Sequence, residues 1–235
     1  VLEQISQRAK AANDRFNPIA KRRWSTYVDA GQLAHDHFAK RSELNHVNYA
    51  SMRDLLVRMG GRPQTIMETG MSAWGTDSTR LFDSYVRSFG GALWSVDLSP
   101  VPVQRLTGQV SEHTTLACDD SVAFLERWVD EHPGQQLDVV YLDSWDVDFA
   151  DPMPAGEHCL RELQAIEPAL GPGTLMLVDD TPGSLEDVPA SFRDVAPAVF
   201  ERYGAWPGKG MLLDPHLEHT SAEKLRHGYQ VLYRF

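Results

Sequence analysis

A chain of 235 residues, 42% of them hydrophobic, is long enough to bury a sizeable core and too apolar to be disordered. A formal net charge of −11 argues against a nucleic-acid substrate gripped through its phosphates, and the basic run Lys21-Arg22-Arg23 reads as solvated surface. Two cysteines, Cys118 and Cys159, suggest no disulfide framework and suit a reducing cytoplasm, while no apolar run is long enough to span a bilayer.

Residues 1–25 are polar and mixed in charge and read as a helix or a loose arm. Nothing there resembles a signal peptide, and a chain that opens on Val1 leaves a removed leader open. From Thr26 to Met59 the pattern is helical, in two pieces broken near Ser42 to Asn45. Tyr49, Met52, Leu55, Leu56 and Met59 make one apolar stripe, and Gly60-Gly61 supplies a stop. The stripe reads as core packing. The first piece, with Tyr27, Leu33 and Phe38, reads as core, as a lid or as a dimer contact. Residues 1–61 are therefore expected to form a helical extension, and 62–235 the main domain.

After Gly61 strands and helices alternate. Strands are predicted near 64–69, 92–97, 114–118, 138–143 and 173–179, and helices near 77–89, 101–110, 121–131, 155–170 and 188–203. The strands are mostly apolar runs, such as Val139-Val140-Tyr141-Leu142, which suit a parallel sheet covered on both faces. In the tail, Gly210 to Leu213 and Tyr229 to Phe235 read as two more strands, with Ser221 to Arg226 helix-like between them. The expected class is α/β: a Rossmann-like, seven-stranded, mostly parallel sheet with an antiparallel last strand and helices on both faces.

The stretch from Thr65 to Arg80 carries the first functional signal. An apolar strand end leads into Glu68, Gly70 and Gly75, and Thr76-Asp77-Ser78 then opens a helix. Such a turn lets backbone approach a ligand and offers free N–H groups. Each later strand also ends in acid: Asp97, Asp119-Asp120, Asp143 and Asp179-Asp180. A lone acid there often caps the next helix, but five strand ends in succession gather charge that something cationic must relieve. Asp97 is placed to accept ribose hydroxyls, and Asp120 with Ser121 to meet an adenine edge. Ser72 and Ser78 are possible donors to a ligand carboxylate.

These residues resemble the class I S-adenosylmethionine-dependent methyltransferases over roughly residues 62–235. Glu68-Thr69-Gly70 with Gly75 is similar to their first motif, Leu93 to Asp97 to their second-strand acid, and Ala117 to Ser121 to their adenine-side motif. Tyr141-Leu142-Asp143-Ser144-Trp145 and Val178-Asp179-Asp180 resemble metal-dependent O-methyltransferases of the catechol and antibiotic-sugar types. The resemblance implies S-adenosylmethionine and Mg²⁺ as cofactors, with Asp143, Asp179 and Asp180 as metal ligands and Asp143 also beside the cofactor. The competing reading of those acids is loop capping and solvated surface. The resemblance implies a small-molecule hydroxyl acceptor; the charge and the lack of a long apolar run point to no nucleic-acid or membrane partner, and the N-terminal helices offer a surface for a homodimer or higher homo-oligomer.

In one respect the chain departs from the catechol type: Asp146 stands where that type has a lysine base. Asp143 and Asp146 are candidate bases. His158, four residues before Glu162 on one helix face, is another, or half of a surface pair. Lys209, between Gly208 and Gly210, is a further candidate or a plain turn residue. Trp145 reads as pocket wall or core. A nicotinamide-dependent dehydrogenase shares the first turn, but Ser72 stands where its second glycine belongs. A methyltransferase fold that binds without turnover is the remaining alternative.

Overall fold

The computed structural model describes residues 26–71 and 75–235. The expectations placed on residues 1–25 and on Ser72 lie outside the described residues. Among the described residues two helices come first, α1 (Ala30–Arg41) and α2 (Tyr49–Met59). Then follow β1 (Gln64–Thr69), α3 (Ser78–Phe89), β2 (Gly91–Asp97), α4 (Pro100–Leu106), β3 (Thr114–Cys118), α5 (Ser121–Glu131), β4 (Val139–Leu142), α6 (Met153–Ile166) and β5 (Leu175–Val178). The tail adds α7 (Ala196–Tyr203), a 3₁₀ turn at Lys209–Leu212, α8 (Leu213–Leu217), β6 (Glu223–His227) and β7 (Val231–Arg234).

Local chemistry sets the ends of these elements. The Asp29 carboxylate accepts the Gln32 N–H at 2.6 Å and caps α1, whose last turn carries Lys40 and Arg41 against the helix dipole. α2 stops at Gly60, which takes the left-handed conformation that glycine adopts without steric cost. The break between the two helices and the glycine stop are as expected from the sequence.

The sheet has the order β3-β2-β1-β4-β5-β7-β6. β1 to β5 are parallel, and β7 pairs antiparallel with β5. Strand alternation sends one set of side chains to each face. Ile66, Leu93, Val139, Tyr141, Leu177 and Leu232 meet α1, α2 and α3 in one core. Met67, Val140, Leu142, Met176, Val178 and Val231 meet α5, α6 and α8 in the other. The apolar stripe of α2 packs on the first of these, and so does the Leu33–Phe38 side of α1, so both helices are built into the core of the sheet.

The tail departs from expectation. Gly210 to Leu213 is a 3₁₀ turn running into α8, not a strand, and the helix-like stretch before Tyr229 holds β6. Glu223-Lys224-Leu225-Arg226-His227 has the residue types of an exposed helix, but pairing with β7 overrides that preference. β6 is one of the two outer strands of the sheet, opposite β3, with a register shift between Lys224 and Arg226. Among the described residues no helix is long and apolar enough to cross a membrane.

Candidate active site

A ladder of backbone hydrogen bonds carries the strand ends into register at the carboxyl edge of the sheet. Asp119 N–H donates to the Asp97 carbonyl (3.0 Å), Gly70 N–H to Val96 (2.8 Å), Asp143 N–H to Thr69 (2.9 Å) and Asp179 N–H to Leu142 (3.0 Å). The acids that are far apart in sequence therefore line one rim. Strand order reverses at β1, with β2 on one side and β4 on the other, and a crevice forms at such a point. Gly70 is required there. It has φ 80°, and a Cβ would lie 2.3 Å from the Asp143 carbonyl oxygen. The two loops that frame the crevice cross at that contact.

The crevice is a cavity of about 780 Å³, inside the range of small-molecule sites, roughly 300–1,000 Å³. On the β2 side, Asp97 Oδ2 accepts the Met71 N–H at 2.9 Å and Oδ1 accepts the Ser99 N–H at 2.7 Å. These two bonds fix the carboxylate and leave it lone pairs for a ligand. Asp120 lines the same wall while capping α5 through the Ala123 N–H (3.0 Å). Ser121 Oγ lies 3.0 Å from His158 Nε2, and the Trp145 ring lies over the His158 ring at 5.0 Å. His158 and Glu162 are both buried, so they are not a surface pair. Glu162 accepts from Ser144 at 2.6 Å. Trp145 is half exposed and lines the cavity with φ 64°.

Three expected cofactor residues sit elsewhere. Glu68 is fully buried beneath the crevice, where Ser78 Oγ (2.6 Å) and Ser95 Oγ (2.5 Å) donate to it. Burial raises its pKa to about 7 against the pull of those hydroxyls. Ser78 is thus turned inward, and Gly75 packs close to the His46 ring.

On the β4–β5 side Asp143, Asp179 and Asp180 offer oxygens that all lie within 4.8 Å of one another. Asp143 and Asp179 continue the alternation of Tyr141 and Leu177, so both carboxylates leave the same face. The sequence did not reveal what surrounds them. Lys209 Nζ lies 2.7 Å from Asp143 Oδ1, 3.0 Å from Asp180 Oδ2 and 3.2 Å from the Asp143 carbonyl, with only 2% of the residue exposed. Desolvation alone would lower its pKa, but Asp143, Asp180 and Asp179 outweigh it and hold the ammonium charged, well above the ordinary lysine value.

Asp179 is enclosed as well. Asn48 Nδ2 donates to both its oxygens (3.1 and 3.2 Å), Gln230 Nε2 to Oδ1 (2.8 Å) and the Asp180 N–H to Oδ1 (2.9 Å). The Tyr141 hydroxyl lies 3.0 Å from Asp179 Oδ2 and 3.2 Å from Asp143 Oδ2, with one proton for the two. Tyr229 donates to Asp180 Oδ1 at 2.5 Å. Asn48 also donates to Thr76 Oγ1 at 3.1 Å, tying the α1–α2 loop to the first turn. Its own Oδ1 is buried in the cavity wall and finds no partner among the described residues. Sequence reasoning missed Asn48, Tyr229 and Gln230; none sits in a motif, and each reaches the site only through the fold.

No protein-family model matches the chain, and no curated protein sequence does. Solved structures with a similar chain path include CalS11, a TDP-rhamnose 3′-O-methyltransferase of calicheamicin biosynthesis. It is 16% identical, with 88% of this chain and 93% of that one covered at a TM-score of 0.49. A Klebsiella pneumoniae protein assigned as an O-methyltransferase is 18% identical over 93% of this chain and 94% of that one, at 0.43. The CurJ carbon methyltransferase is 12% identical over 78% of this chain and 52% of that one, at 0.44.

Proposed function

We propose that this chain is an S-adenosylmethionine-dependent methyltransferase acting on a hydroxyl of a small molecule. The observation that carries the reading is the meeting of the Gly70 turn with Asp97 across the Met71 N–H, inside a crevice whose opposite wall is also acidic. The strand order supports it too. β7 stands between β5 and β6, whereas a doubly wound dinucleotide-binding sheet runs 3-2-1-4-5-6.

The cofactor supplies an electrophilic methyl group on a sulfonium. In this reading Asp97 accepts its ribose hydroxyls, and Asp120 with Ser121 faces its adenine edge. Gly70 lets the chain pass close to its methionine part. The carboxylate wall of Asp143, Asp179 and Asp180 favours a cationic sulfur. Asp146, exposed on the cavity wall and bonded to no described side chain, takes the proton from the acceptor hydroxyl. His158, held by Ser121 and Glu162, is better suited to positioning the adenine-side wall. A second cavity of about 540 Å³ shares Val47 and Tyr229 with the first and gives the acceptor room next to the crevice.

The residues do not fit Mg²⁺ as they stand. An octahedral ion needs oxygens at about 2.0–2.1 Å around its own centre. Here an ammonium lies between Asp143 and Asp180, and both oxygens of Asp179 are already bonded. No step is therefore assigned to a metal.

Calorimetric titration with S-adenosylhomocysteine and, separately, with NAD tests the reading. Binding of the first alone is expected, followed by methyl transfer to at least one acceptor among catechols, vicinal diols and sugars. Binding of NAD in its place would end the proposal.

A further inference from the structure

The rim acids need a cation, and the fold provides one of its own. The loop that brings it is shaped for the purpose. Lys209 N–H donates to the Asp180 carbonyl at 2.9 Å, and Gly210 N–H donates to Thr181 Oγ1 at 3.0 Å. The flanking glycines allow this approach. A Cβ on Gly208 would lie 2.3 Å from the Asp180 carbonyl oxygen, and one on Gly210 would lie 2.5 Å from Thr181 Cγ2. Asp180 takes a left-handed conformation, φ 42°, at the turn that meets this loop. The lysine is thus delivered by backbone contacts on both sides and does not merely fold in from the surface. All three of its N–H donors have acceptors: Asp143 Oδ1, the Asp143 carbonyl and Asp180 Oδ2.

We infer that the Lys209 ammonium stands in the place of a divalent ion, so that this triad holds its geometry and the chain works without a metal. The part about turnover rests on the methyl-transfer reading above; the part about ion binding does not. The ammonium links the β4 and β5 loops as an ion would, but all its donors point at protein. It serves as a positioning residue, and an acceptor hydroxyl meets the carboxylates and not the lysine. A second cation at the same centre would have to displace an ammonium that the Gly208–Gly210 loop pins in place.

The test uses Mn²⁺ as probe and the electron paramagnetic resonance signal of the free ion as readout. With one equivalent of the natural chain the signal should keep its full height, and the same should hold for Lys209→Arg. With Lys209→Met the signal should fall by more than half as the ion enters the vacated centre, and added Mn²⁺ should raise the melting temperature of that variant. Methyl transfer by the natural chain should be unchanged in chelator. A bound Mn²⁺ on the natural chain overturns the inference, and this measurement stands even if Lys209→Met fails to fold. A folded Lys209→Met chain that leaves the signal untouched also overturns it, since the lysine would then not occupy a metal's place. Failure to bind S-adenosylhomocysteine would sink the methyl-transfer reading and leave the manganese result standing.

Discussion

Glu68 and the Asp143–Asp179–Asp180 triad lie on the same face of the sheet, and the protein partners them differently. Glu68 sits between two serine hydroxyls, which can donate hydrogen bonds but no charge. Its pKa rises to about 7, and a proton does the neutralising. Asp143 and Asp180 share the Lys209 ammonium and Asp179 takes amide donors, yet burial and the neighbouring Asp179 still push the Asp143 carboxyl well above the ordinary carboxylate range. The difference lies in the partners: two hydroxyls bring Glu68 no charge, whereas one fixed ammonium is shared between Asp143 and Asp180. Glu68 therefore supports the floor under the first turn, while the triad and its lysine line the crevice.

The sharpest way to break this contrast is to remove the counter-charge. Lys209→Met leaves three carboxylates facing one another, and about 3–5 kcal/mol of stability should be lost, read by denaturant unfolding without added metal. Next comes Glu68→Gln, with the opposite sign. In the natural chain the folded carboxyl ionises near 7 and the unfolded one near 4.5, so the folded state binds more protons between those values. Stability from this group should thus fall as pH rises across that window, by on the order of 3 kcal/mol. Glu68→Gln should flatten that slope, and unfolding curves at pH 4 and pH 8 would show it; an unchanged slope would mean that Glu68 is already ionised when folded.

Asn48→Ala removes a donor to Asp179 and the tie to Thr76, and should cost about 2 kcal/mol by the same unfolding assay. The smallest effect is expected at Asp97→Asn. It should weaken S-adenosylhomocysteine about tenfold, or about 1.4 kcal/mol, in calorimetry while leaving the melting temperature nearly unchanged. If Asp97→Asn lowered stability as far as Lys209→Met, the open and the enclosed acids would not differ in kind.

The strand ends could be read from the sequence because each apolar run closes on an acid, and a parallel sheet gathers such ends on one edge. The antiparallel tail was readable only in part. The outer strand Glu223–His227 carries helix-compatible residues and owes its form to its neighbour. The convergence of Asp143 with Asp179 was expected from the resemblance of Leu142-Asp143 and Asp179-Asp180 to metal-dependent O-methyltransferases, and strand alternation explains it in the fold. The position of Lys209 was not, since a lysine between glycines looks like any surface turn until two loops meet around it. The same is true of Asn48, which lies 131 positions from Asp179. Long-range contacts of this kind leave no local periodicity to read.

The charged outer strand has a consequence of its own. Lys224, Arg226 and His227 share it with Glu223, and its register shift interrupts the run of exposed N–H and C=O groups. An edge so furnished is a poor template for a strand from another molecule. On this side of the sheet it discourages ribbon-like polymerisation at high concentration, which leaves β3 as the other edge at which strands could meet.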